Sequence, residues 1–106
     1  MFDDAKDDPE TGWGHVATHD DAPAVIDTLL RLDPEAAYTK TELSDEAGVA
    51  LKSLYLDGTL DHLVEMGFLE KEDDEGEEAL FSVDTDTAVF EAAAAFDDAI
   101  AARLEE

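Results

Sequence analysis

The side chains able to do chemistry in this sequence form two unequal sets. The smaller is basic: Lys6, Arg31, Lys40, Lys52, Lys71 and Arg103, six residues in all. A lysine can bind a phosphate oxygen or a guanine edge, and hydroxyls such as those of Ser53 and Tyr55 can add hydrogen bonds beside it. The larger set holds 30 Asp and Glu residues. Pairing any two of so many carboxylates as acid and base would be arbitrary. His15 and His19, at i and i+4 beside Asp20 and Asp21, have a spacing that can hold a metal on a helix. Gly12 and Gly14 interrupt this segment, so it reads instead as a polar loop before a helix, with no metal. There is no cysteine, which excludes disulfides, thiolate zinc sites and thiol redox sensing. There is also no glycine-rich phosphate loop, no nucleophile elbow and no HExxH. The expectation is a protein that is not an enzyme and carries no cofactor.

The elements that must position these groups can be read from periodicity. Asp21-Ala22-Pro23 starts a helix, with Asp21 as N-cap and proline in the first turn. Val25, Ile26, Leu29, Leu30 and Leu32 make its apolar stripe, and Asp33-Pro34 ends it. Arg31 then complements the helix dipole. Thr39 caps a second helix that begins at Lys40, with Glu42 completing a capping box. Leu43 and Ala47 share one face of it, and Gly48 supplies the positive φ of a tight exit. The run Ala50 to Met66 carries Leu56, Leu60, Leu63 and Val64 at helical spacing. Gly58 interrupts that run. Either the helix kinks at Asp57-Gly58, or it breaks and restarts with Thr59 as cap. Phe68 to Glu72 and Glu78 to Val83 read as strands around the turn Asp73-Asp74-Glu75-Gly76. Ala79, Phe81 and Val83 alternate toward the core.

Helix, tight glycine turn, second helix and hairpin, in that order, resemble the winged helix–turn–helix family. The matching residues are Leu43, Ala47, Gly48 and Val49, then Leu60, Leu63, Gly67, Phe68 and Leu69. Within the family the look is of small regulators of the MarR, ArsR or PadR type. The resemblance implies a mainly α fold with a small β-hairpin wing (α+β) and an added C-terminal helix. It also implies that Tyr38 starts a short strand pairing with the wing, and that the third helix enters the major groove of double-stranded DNA. Lys40, Lys52, Ser53, Tyr55 and Lys71 are then the DNA-binding residues, with Tyr55 equally able to pack on the core. Two features depart from the family. The third helix is about two residues longer than its usual pattern, and the wing tip is acidic: Asp73, Asp74, Glu75, Glu77 and Glu78. Those charges could lie against DNA only with cations between them. Asp57 and Asp61 would also repel phosphate. His62 is expected to be a surface or half-buried histidine rather than a ligand.

The net charge is −24 over 106 residues, with 44% hydrophobic content. A small domain ordinarily carries a net charge of roughly 2–8 in magnitude. Self-repulsion on this scale opposes folding in dilute buffer. At molar salt the Debye length falls to about 3 Å and screens it. Low lysine, abundant carboxylates and many alanines resemble proteins of halophilic archaea, with potassium or other cations screening the surface. No run of about 18 apolar residues exists, and the acidic N-terminus is unlike a signal peptide. The expected location is cytoplasmic, with no membrane partner.

The chain divides into an acidic arm (1–20), the core domain (21–84) and a terminal helix (85–106). The arm shows no helical or strand period, and Trp13 is expected to fold back over an apolar groove. Asp84-Thr85-Asp86-Thr87 marks a turn and an N-cap. Beyond it Val89, Ala93, Phe96, Ile100 and Leu104 repeat at seam spacing for a partner helix. By analogy with small regulators of this type they form a homodimer interface. The leading expectation is a dimeric, sequence-specific DNA-binding transcriptional regulator. The alternative is a winged-helix protein-interaction module whose acidic face meets a basic partner or mimics DNA.

Overall fold

A computed structural model describes residues 10–72 and 78–105. The acidic turn at residues 73–77 and the start of the arm lie outside them. Six helices and a β-hairpin make a helix-rich α+β fold. In order these are α1 (Gly12–Ala17), α2 (Ala22–Leu29), α3 (Lys40–Ala47), α4 (Leu51–Leu56), α5 (Thr59–Met66), β1 (Leu69–Glu72), β2 (Leu80–Val83) and α6 (Ala88–Leu104).

The cap chemistry expected around α3 is present in full. The Thr39 hydroxyl accepts from the Glu42 N–H at 3.1 Å, and the Glu42 carboxylate accepts from the Thr39 N–H at 2.9 Å. Two of the first-turn donors that a helix cannot satisfy internally are thereby paired. Gly48 closes α3 in the left-handed region. Thr87 opens α6 as its N-cap, where its hydroxyl accepts from the Phe90 N–H. That hydroxyl also donates to the Gly67 carbonyl at 2.7 Å, so one side chain ties the end of α5 to the start of α6. Gly67 has φ 98°, and a Cβ there would meet the Thr87 side chain at 3.4 Å. Backbone and packing both favour glycine at that position.

Four local expectations are corrected. The arm contains α1, capped by the Thr11 hydroxyl accepting from the Gly14 N–H at 2.9 Å. A good N-cap outweighs two glycines over so short a span. The helix α2 stops at Leu29 rather than at Asp33, because turns begin at Leu30 and Arg31. Asp21 stands at its N-cap but makes no capping hydrogen bond. Its Oδ1 instead accepts from the Thr59 hydroxyl at 2.8 Å, while Oδ2 is buried without a partner. Finally, the run from Ala50 to Met66 is two helices. Gly58 takes φ 83° and is itself the N-cap of α5, so Thr59 is the first helical residue and not the cap.

The hairpin pairs Leu69 with Val83 through Glu72 with Leu80, antiparallel. Tyr38 extends it by a single bridge to Phe81, with both N–H···O bonds at 2.8 Å. The core collects Val25 and Leu29 of α2, Leu43 of α3, Leu54 of α4, Leu60 and Leu63 of α5, then Phe68, Leu69, Phe81 and Val83. Each fully buried leucine contributes about 1.5–3 kcal/mol of transfer free energy. Leu54 is the only buried residue of α4, so that helix hangs on one anchor. Among the described residues, no helix is long and apolar enough to cross a membrane.

Candidate functional site

Three of the five expected contact residues meet. Lys40 at the start of α3, Tyr55 on α4 and Lys71 on β1 line one shallow cavity with Leu60, Asp61 and Glu78. The capping box fixes where α3 begins and so where Lys40 projects. Its Nζ lies 4.9 Å above the Tyr55 ring, a cation–π contact contributing about 0.5–1 kcal/mol when exposed. Tyr55 is exposed rather than packed in the core. Lys52 is one helical turn before Tyr55, so it shares that face of α4. Lys52 is exposed. Ser53 is half-buried, and its carbonyl accepts a long 3.4 Å hydrogen bond from Thr59.

Each of the two clustered lysines faces a carboxylate. Lys40 pairs with Glu78 at 3.1 Å and Lys71 with Asp61 at 3.6 Å. Lys52 has no ion pair among the described residues. Arg31 lies away from this cavity. It bonds Asp97 of α6 and Asp27 of α2, and these hydrogen bonds, Asp97 first, raise its pKa. It straps α2 to α6 from a position two residues past the end of α2. Sequence reasoning missed Asp61 and Glu78 as partners of the lysines. The only available signal was opposite charge, and in a chain this acidic that signal selects no pair.

A second feature is an apolar groove of about 790 Å³ between α1, α2 and α6. Trp13, Ile26, Leu30, Phe68, Phe96 and Ile100 are among its walls. Trp13 does fold back, with its ring edge-on to Phe96 at 5.4 Å, yet it stays 67% exposed. The helix α6 buries no residue completely. Ala93 packs with Phe90 against the core of its own domain. Val89, Phe96, Ile100 and Leu104 remain exposed.

The third feature joins all three histidines of the chain. His15 lies on α1, not in a loop, and its Nδ1 is 3.0 Å from the His62 Nε2 on α5. The ring centroids of His15 and His19 are 5.1 and 5.2 Å from that of His62, both edge-on. Burial lowers the His62 pKa, His19 and His15 lower it further, and Glu65 opposes them. Among the described residues no group of three or more His, Cys, Asp or Glu is arranged to hold a metal ion.

No protein-family model matches the chain, and no curated protein or solved structure is significantly similar to it.

Proposed function

We propose that this chain is a dimeric winged helix–turn–helix regulator that binds double-stranded DNA in concentrated salt. The observation that carries the reading is the gathering of Lys40, Tyr55 and Lys71 from three elements around one cavity, with Lys52 a turn away. Half of the chain's six cations thus fall on or beside one face. In this reading α3 and α4 form the helix pair, α4 meets the major groove and the hairpin is the wing. The exposed Val89, Phe96, Ile100 and Leu104 of α6, with Ala93 behind them, supply the homodimer contact.

The carboxylates beside the lysines set the salt behaviour. At low salt, DNA must displace Glu78 from Lys40 and Asp61 from Lys71, against a net charge of −24. Rising KCl weakens those exposed pairs and the overall repulsion. Few phosphate contacts also mean a small counterion-release slope. Binding should therefore weaken little, or strengthen, as KCl rises. Specificity would rest on hydrogen bonds, shape and bridging cations.

One observation favours a second reading, a protein-interaction module. The helix α4 exposes Leu51, Tyr55 and Leu56 at 36, 59 and 67%, an apolar surface suited to another protein. The deciding experiment is selection from pooled genomic fragments in about 2 M KCl, a strongly screened regime, with Lys52→Glu alongside. Recovery of a few sequences by the wild type, lost in the variant, is the expected result. No enrichment by an intact dimer would replace the DNA reading with the protein-interaction one.

A further inference from the structure

The helix α1 needs an explanation for its position. It has six residues and buries none of them. A free helix of that length is not stable in water, so contacts with the rest of the domain must hold it. Two such anchors stand out. One is the edge-on contact of Trp13 with Phe96. The other is the 3.0 Å contact between His15 Nδ1 and His62 Nε2.

Two imidazole nitrogens at that distance need one proton between them. One ring must donate and the other must accept through a bare nitrogen. If both rings are protonated, two donors and two positive charges face each other, with His19 edge-on to His62 as a third. His15 on α1 and His62 on α5 are 47 positions apart, so their charge state acts on the docking of α1 and not on the interior of either helix.

We propose that His15, His19 and His62 form a proton-operated latch. A pair that keeps one bare nitrogen holds α1 across the apolar groove, and protonation of both His15 and His62 releases it together with Trp13, opening one wall of the groove.

The direction follows from linkage. The docked state disfavours protonated His62, so its pKa lies below the ordinary value of 6.5. Docking is therefore fully favoured above about pH 6.5 and is lost as pH falls through the docked-state value. The surrounding charges modify this. Glu65 on α5 favours protonated His62, Asp61 precedes that histidine on the same helix, and Asp20 and Asp21 follow His19 in the chain. Molar KCl screens the field of the −24 net charge at the three rings.

Trp13 is the only tryptophan and sits two residues before His15, so it reports on the latch directly. The full chain in about 2 M KCl with a chelator is titrated from about pH 8 to about pH 5. The expected result is a red shift of tryptophan emission with a midpoint below about 6.5, at constant helical circular dichroism from the rest of the domain. Amide hydrogen exchange in α1 should speed at least about tenfold relative to α5 over the same range. His62→Phe keeps a ring but cannot be protonated, and the step should vanish; His15→Phe serves the same purpose if that variant misfolds. A step that survives in both variants, or no step in the wild type, overturns the latch. So does a chelator that undocks α1 at pH 8, because the nitrogens would then hold a metal instead of a proton.

Discussion

The lysine face and the apolar groove solve opposite problems. On the lysine face each clustered cation already has a carboxylate in the same chain, Lys40 with Glu78 and Lys71 with Asp61. Lys40 is half-buried, Lys71 is exposed, and both are paired. Around the groove the side chains are apolar and unsatisfied: Trp13, Phe96 and Ile100 stay exposed along its walls. Water is a good solvent for the first face and a poor one for the second. A ligand of the lysine face must compete with an existing partner, whereas a ligand of the groove displaces only water. The first arrangement favours selectivity over strength, and the second favours association.

Five substitutions would break or sharpen this contrast. The largest effect is expected at Leu54, which is fully buried and alone anchors α4. Leu54→Ala should cost about 2–5 kcal/mol in denaturant unfolding at molar KCl. Leu104→Ala, at a 77% exposed position, should leave monomer stability nearly unchanged and act only on self-association, read by sedimentation. Next is Gly58→Ala. Nothing lies within 4 Å of the new Cβ, so the cost is purely backbone, about 1–2 kcal/mol for the left-handed conformation. A stabilised variant would mean that α4 and α5 fuse into one helix without harm. Thr39→Ala removes half of the capping box and should cost about 1 kcal/mol, displacing Lys40 and lowering DNA recovery with it. The smallest effect on folding is at the ion pairs. Asp61→Asn should change stability by less than about 0.5 kcal/mol, yet it frees Lys71 and should tighten DNA binding at low salt. Weaker binding in that variant would contradict the competition described above.

How much of this could be read from the residues depends on the range of the interaction. The capping box of Thr39 and Glu42, the glycine exits at Gly48 and Gly67, and the Thr87 cap are local devices, and all stand where their spacing puts them. A short strand at Tyr38 pairing with the hairpin was implied by the resemblance alone, and what forms is a single bridge to Phe81. The helix α1 did not, because Gly12 and Gly14 mask it and its tertiary contacts come from Phe96 and His62. The meeting of His15 with His62 spans 47 positions and leaves no periodic trace. The ion pairs were equally hidden, since every lysine has many carboxylates to choose from. For the candidate site, residue types were legible, while their partners were set by tertiary packing.

The bridge at Tyr38 has a further consequence. A hairpin has two edges, each a row of unpaired backbone groups onto which a strand from another molecule can add. Tyr38 occupies the outer edge of β2 at Phe81. The outer edge of β1 is open, but its three exposed residues are Glu70, Lys71 and Glu72, charges that discourage a neighbouring strand from docking. Templated strand addition is thus opposed by a backbone staple at Phe81 on one border and a charged fringe on the other. A crowded, salt-rich solution strengthens apolar association, and under those conditions the hairpin would remain closed to runaway growth while helical surfaces stay free to pair.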